Sequence, residues 1–259
     1  MLSKEKLLKG IENREELSRI IDKAEQAIKT WEIAVTDFLS PPVFTEAQNL
    51  FKPLAEIEIS SWGGYPQAER QRLGITRTEI PIDTSQIPLV ALDISGNFLF
   101  DPATHRDFLG AILGTGIVRE KVGDIIVSGE RGAQAIVMPE IAVFLQSSLT
   151  QVRSVPVKAS PIPFSELKVR PPQKKEITTV EASMRLDAIA SAGLRMSRSK
   201  MADAINRGEV RVNWKSVTQA SYTVETGDLI AVQGKGRLEV NEVAITKKQR
   251  YRLKLTRYL

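Results

Sequence analysis

Between residues 185 and 215 the chain carries Arg185, Arg195, Arg198, Lys200, Arg207, Arg211 and Lys215, with Ser197 placed just before Arg198. Such side chains hold positive charge and N–H donors, the groups that meet phosphate oxygens through charge-assisted hydrogen bonds. The chemistry they can do is binding, with no bond made or broken. Ser197 opens a helix whose free N–H groups and positive dipole end favour an anion, and Arg198 adds a charged donor beside it. Lys200 and Arg207 lie about two helical turns apart, a spacing that tracks successive phosphates along one side. Asp203 is equally placed to pair with Arg207 one turn on, which would give an ordinary solvated face. Asp187 is read as orienting Arg185 or capping its helix. Arg211 is the weakest member of the patch, because its strand can turn it to the other side.

The remaining reactive inventory is thin. The 259 residues include one histidine and no cysteine, which excludes disulfides, thiol nucleophiles and cysteine or multi-histidine metal sites. His105-Arg106-Asp107 resembles a kinase catalytic tripeptide, but no Asn follows at the fifth position and no Asp-Phe-Gly occurs. Gly114-Thr115-Gly116 lacks a third spaced glycine, and there is no phosphate-binding Gly-Lys-Ser/Thr. No catalytic residue, metal or cofactor is expected. No apolar run approaches the roughly 20 residues of a bilayer span. The N-terminus lacks a hydrophobic signal core and is rich in Glu, so the expected location is cytoplasmic, without membrane insertion.

Charge is unevenly spread. Residues 1–180 hold 21 basic and 23 acidic side chains, whereas 181–259 hold 15 and 8. A basic C-terminal third on a nearly neutral body is the footprint of a polyanion-binding module carried by other domains.

The elements that would position these groups follow from periodicity. Leu17, Ile20, Ile21, Ala24, Ala27, Ile28 and Trp31 have helical spacing, with Asn13 and Glu16 offering a capping-box-like start and Ser40-Pro41-Pro42 a stop. Residues 1–50 therefore read as a helical N-terminal region. From 51 to 153 short strand-like runs (Leu54–Ile59, Pro88–Ile94, Asp124–Ser128, Ala133–Met138) mix with helical pieces (Gln67–Leu73, His105–Leu113, Glu140–Leu149). That order predicts an α/β middle domain, such as a ferredoxin-like or split βαβ arrangement, within an α+β protein. Pro156, Pro161, Pro163, Pro171 and Pro172 mark 154–178 as a Pro-rich linker, leaving 179–259 as the C-terminal domain.

In that domain a first helix from Arg185 to Ser191 stops at Gly193, and a second opens at Ser197 and closes at Gly208. A strand follows at Glu209–Asn213, then a turn at Asn213-Trp214-Lys215, Tyr222-x-Val224, Gly227-Asp228 and the strand Leu229–Val232. In order and spacing, over roughly 183–240, these features resemble an S4 RNA-binding domain, two helices plus a small β element. Trp214 departs from the Gly usual after Val-Asn, which puts a type I′ turn in doubt and predicts a longer or bulged hairpin. The resemblance implies recognition of structured RNA by shape and backbone, through Arg185, Arg195, Ser197, Arg198, Lys200, Arg207, Arg211 and Lys215. The basic tail Lys247–Arg257, alternating from Tyr251, either extends that surface or protects a sheet edge with charge, and the second is favoured.

Two further stretches, Gly63-Gly64-Tyr65-Pro66-Gln67-Ala68-Glu69-Arg70 and His105 to Gly114 with Arg119 and Lys121-Val122-Gly123-Asp124, resemble the YlmH type of S4 protein, including its cyanobacterial and plastid photosystem II branch. The resemblance implies a helical N-terminal part, an RRM-like or ferredoxin-like middle domain and the S4 module, with rRNA or tRNA as partner, a place on the ribosome in large-subunit quality control or assembly, and no DNA. His105 then reads as structural or RNA-facing rather than as a general base. An S4-containing modifying enzyme such as a pseudouridine synthase is the alternative, since Arg185-Leu186-Asp187 and Ser191-x-Gly193-Leu194 also resemble that family. The 72 residues after Asp187 are too few for a catalytic domain. An assembly factor whose basic module meets an acidic protein or lipid surface is the third reading.

Overall fold

The computed structural model describes residues 3–11, 13–169 and 173–258. The chain divides into two compact units, Met1–Val169 and Arg170–Leu259.

The first unit opens with α1 (Lys4–Leu7) and α2 (Arg14–Thr30), whose stripe Leu17, Ile20, Ile21, Ala24 and Ala27 is buried. The expected capping box does not form, because the Asn13 side chain donates to Glu46 at 3.0 Å instead. The region 1–50 is not all helical: β1 (Ala34–Leu39) intervenes, and Ser40-Pro41-Pro42 begins α3 (Pro41–Phe51) rather than ending a helix. Proline suits the first helical turn, where its missing N–H would have no partner. β2 (Ile57–Trp62) and β3 (Gln71–Arg77) complete an antiparallel sheet of order β1-β3-β2. The expected helix at Gln67–Leu73 gives way to β3, whose Leu73 and Ile75 alternate into the core shared with α2 and α3. A boundary at residue 50 therefore cuts a unit whose sheet draws strands from both sides of it.

Next come β4 (Val90–Ser95), α4 (His105–Gly114), β5 (Val122–Val127), β6 (Gly132–Val137) and α5 (Pro139–Ser148). A short hairpin, β7 (Gln151–Val152) with β8 (Val155–Pro156), leads to β9 (Lys158–Ile162). The sheet order is β5-β6-β4-β9 and every pairing is antiparallel, the βαββαβ arrangement of a ferredoxin-like domain. Phe108 and Ile112 of α4 and Leu145 of α5 bury one face against Leu92, Ile94, Ala135 and Val137. β9 corrects the linker expected at 154–178: its Pro161 is tolerated because the strand lies at the sheet edge. Arg170, Pro171 and Pro172, at the heart of that linker, lie outside the described residues.

The second unit contains β10 (Lys174–Glu181), α6 (Leu186–Leu194), α7 (Arg198–Asn206), β11 (Val210–Val212), β12 (Lys215–Ser216), β13 (Leu229–Val232), β14 (Gly236–Ile245) and β15 (Tyr251–Tyr258). Its β element is larger than expected: six strands in the order β10-β15-β14-β13-β11-β12. Leu186 and Ile189 of α6 and Met201 and Ile205 of α7 pack on one face, against Val210, Ile230, Leu238, Leu253 and Leu255. β15 is not an edge strand, since β10 and β14 flank it on either side, so the edge-protection reading of the basic tail fails.

Gly193 does not cap α6. The helix continues to Leu194, and Arg195 takes the left-handed cap at φ 55°. The glycine is needed for close approach, because a Cβ there would stand 2.3 Å from a Leu238 methyl carbon. α7 does end at Gly208, with Gly208 N–H donating to Ile205 O and Glu209 N–H to Ala204 O, a Schellman closure. The two-residue turn between Val212 and Lys215 also forms, contrary to the longer hairpin expected. Asn213 and Trp214 both take positive φ, 48° and 69°. Asn213 is fixed there by donating to Asp228 at 2.7 Å and accepting from Leu229 N–H at 3.0 Å. Among the described residues no helix is long and apolar enough to cross a membrane.

Candidate nucleic-acid interface

The helix face of the second unit holds most of the predicted cations. Arg185 precedes α6, and the start of that helix is anchored by backbone bonds from Leu186 to Tyr222 and from Asp187 to Ala220. Asp187 is buried and accepts two guanidinium groups at once. Arg185 reaches it at 3.0 Å through Nε and Nη2, and Arg198 at 3.1 and 3.2 Å through the same atoms. Burial pushes the Asp187 carboxyl up, but the bonds and charges of the two arginines outweigh it and hold the group below its ordinary value. Both guanidinium groups stay open to water, at 41% and 57% side-chain exposure. Asp187 thus orients Arg185, as its spacing suggested, and Arg198 as well.

Ser197 caps α7 and accepts from Lys200 N–H at 3.3 Å. Arg198 is therefore the first residue of a helix whose dipole already concentrates positive potential there. Two arginines and a helix terminus against one carboxylate leave an excess of positive charge. Arg195 and Lys200 are exposed on either side of this terminus and form no ion pair among the described residues. Lys215 lies opposite Val212 across the hairpin, which puts it on the helix face of the sheet.

Two predicted residues are not where they were expected. Arg207 caps the C-terminus of α7 and pairs with Glu209 at 2.7 and 2.9 Å, so neither the run of phosphates from Lys200 nor the Asp203 pair is realised as drawn. The helix has turned off by then, and Glu209 sits in the Schellman closure beside it. Arg211 alternates with the buried Val210 and Val212 and so faces away from α6 and α7.

In the first unit the motifs around Tyr65 and Asp124 converge on one hydrogen-bonded network. Asp124 accepts from Tyr65 OH at 2.7 Å, Glu69 N–H at 2.7 Å and Arg70 N–H at 3.1 Å. Arg70 donates to Val122 O and Phe38 O, and Arg119 to Val122 O and Gly123 O. These bonds fasten β1 and the Gly63–Arg70 loop to β5. Burial and the neighbouring Arg70 charge bring Arg119 down to about 10, and burial together with Arg119 lowers His105. Tyr65, Arg70, Arg119 and Asp124 thus act as structural staples, and no cluster of acidic or histidine side chains among the described residues could hold a metal.

The helix-free face of the middle sheet differs from that of a base-stacking domain. None of β4, β5, β6 or β9 carries an aromatic residue. Gln134 at its centre is tied to Glu166 O and Lys168 N–H, so the segment after β9 crosses the face. Ile136 beside it is covered by Phe38, and a Cβ on Gly64 would touch both Ile136 and Phe164. Stacking of splayed bases, the usual device of such sheets, has no platform here.

Residues 12–80 match the family profile "YlmH, N-terminal", 84–166 match "Putative RNA-binding domain in YlmH", and 184–230 match "S4 domain". The ribosome-associated protein quality control protein P2 of Bacillus subtilis (strain 168) is 32% identical over 231 residues, 88% of each chain. The chain belongs to the YlmH family. A YlmH structure from Streptococcus pneumoniae, described as a cell division protein, shares the fold at TM-score 0.54 and 24% identity, covering 62% of this chain and 96% of that one. An uncharacterised RNA pseudouridine synthase of Aquifex aeolicus (strain VF5) is 42% identical over 52 residues, 20% of this chain and 22% of that one. YlmH membership accounts for nearly the whole length, whereas the synthase likeness is confined to a module-sized segment. The matched profiles are named for RNA-binding and S4 modules, and the Bacillus subtilis relative is named as ribosome-associated.

Proposed function

We propose that this YlmH protein is a noncatalytic RNA-binding factor of the cytoplasm that grips structured rRNA or tRNA on the ribosome. Its role is in large-subunit quality control or assembly. The carrying observation is the Arg185–Asp187–Arg198 arrangement at the start of α7, flanked by Arg195 and Lys200. It presents pre-oriented N–H donors to a phosphate, which suits recognition of a folded backbone by shape. Lys215 extends the patch on the same face. Arg207, spent on Glu209, and Arg211, on the opposite face, are left out of it. The synthase likeness covers 52 residues, 20% of this chain and 22% of that one, which supports the noncatalytic reading. DNA is not the expected partner. The photosystem II branch of the family is supported by the sequence resemblance alone. The test is fluorescence anisotropy with a labelled large-subunit rRNA hairpin over a range of salt. Affinity should fall linearly on a log–log plot, by about 0.7–0.9 per phosphate neutralised. Binding that is absent, or indifferent to salt, would overturn the reading.

A further inference from the structure

The turn joining β14 to β15 carries Lys247, Lys248 and Arg250, and Arg252 follows on the outer face of β15. These four cations line a cleft of about 780 Å³ at the end of the sheet. Its apolar lining is Val180 and Ala244, which flank Arg252 on one face of the sheet, and Ile245, 68% exposed, on the next rung beside Tyr251. No acidic side chain lines it. None of the four cations makes an ion pair among the described residues, in contrast to Arg185, Arg198, Arg207 and the neighbouring Lys254, which is held by Glu242 at 2.6 Å. Glu181, next to Val180, accepts from Thr179 and alternates onto the other face, while Glu242, which shares the face of Arg252 one rung away, is held by Lys254.

The turn is built to hold these charges in place. Thr246 N–H donates to Arg250 O at 2.7 Å, Gln249 N–H to Thr246 O at 2.9 Å, and Arg250 N–H to the Thr246 hydroxyl at 3.1 Å. Mutual repulsion of four close cations is unfavourable unless an anion joins them. Apolar Val180 and Ala244 beside a cationic rim suit a chain whose phosphates meet the rim while ribose and base edges lie over Val180.

Val180 also fixes the distance to the site already described. It stands five residues before Arg185, which a fully extended chain spans in at most about 18 Å. One RNA strand of a few nucleotides can therefore leave the Arg185–Arg198 patch, round the end of the sheet and enter this cleft.

We infer that the β14–β15 turn is a second RNA phosphate-binding site, continuous with the S4 patch; the inference rests on the RNA reading above. The test measures binding of the same rRNA hairpin by the full chain, by Lys247→Glu/Lys248→Glu, by the milder Arg252→Gln, and by Arg195→Glu/Lys200→Glu. The turn variants should lose affinity several-fold and lower the salt slope by about one for each phosphate contact removed. Unchanged affinity and slope in both turn variants, with loss in the Arg195/Lys200 variant, would overturn the second site and leave the first standing. No loss in any variant would overturn the RNA reading itself. Polyglutamate that displaces the RNA at equal charge concentration, and loses this ability in the turn variants, would assign the cleft to an acidic protein instead.

Discussion

Arg185 and Arg198 meet on the one carboxylate of Asp187, each through a pair of hydrogen bonds between 3.0 and 3.2 Å. One arginine precedes α6 and the other begins α7, so the carboxylate also ties the starts of the two helices together. Pairing with an internal acid would silence a cation if it were buried with it. Here the acid is buried and the two guanidinium groups face water, so a phosphate can still approach their remaining N–H groups.

Asp187→Asn is expected to loosen both arginines. Stability should fall by about 1–2 kcal/mol, less than the ~3–5 kcal/mol of a fully buried pair because solvent screens both partners. RNA affinity should fall in parallel, since the donors lose their orientation. Urea unfolding and anisotropy on the same variant check the two effects.

The Asp187 carboxyl is depressed, so the stabilisation it provides is complete above the ordinary aspartate value of 3.8 and is lost as pH falls through its lowered folded value. The wild-type urea midpoint should therefore drop more steeply below about pH 4 than that of Asp187→Asn. Parallel acid limbs for the two proteins would show that the clamp does not contribute.

Arg195→Glu with Lys200→Glu should weaken RNA binding several-fold at moderate salt while leaving the melting temperature within a degree or so, because both side chains lie on the solvent side of the helices. Retained affinity would remove the start of α7 from the interface.

Gly193→Ala should destabilise the second unit by about 1–3 kcal/mol, the range for overpacking a well-filled core. The added methyl would fall 2.3 and 2.6 Å from the two Leu238 methyl carbons. A combined Gly193→Ala/Leu238→Ala protein should recover part of the loss, and thermal unfolding of the pair measures the coupling.

Trp214→Gly should stabilise the turn by about 1 kcal/mol, since Trp214 holds φ 69° where only glycine sits without strain. Part of that gain will be offset by the lost contact with Arg237, whose guanidinium lies 5.9 Å from the indole ring. A rise in the unfolding midpoint checks the sign.

Periodicity and caps made several elements legible. The α2 stripe, α4 with Asp107 accepting from Thr104, α5 and the Gly208 end of α7 all rest on contacts within a few residues. What escaped depends on partners distant in sequence. β1 was hidden because its pairing with β3 is not local, and β9 because Pro161 is permitted only once an edge position is known. Gly193 looked like a helix stop, since its real constraint is a leucine on β14. In the site, the role of Asp187 was half visible: its pairing with Arg185 is two residues away, but that with Arg198 needs the second helix in place. Arg207 is not placed by spacing alone, because the helix ends under it and its side chain turns to Glu209.

β10 and β15 pair along eight rungs, from Lys174 with Tyr258 to Glu181 with Tyr251. The strand that enters the domain is thereby hydrogen-bonded to the strand that leaves it. During synthesis β10 must wait, unpaired, until Tyr251–Tyr258 has cleared the exit tunnel, and such a long closure makes this sheet the slowest part of the molecule to assemble. The same adjacency allows new ends to be opened elsewhere: joining position 258 to 174 by a short linker and cutting at the Gly234 turn should give a permuted domain with both helices in place.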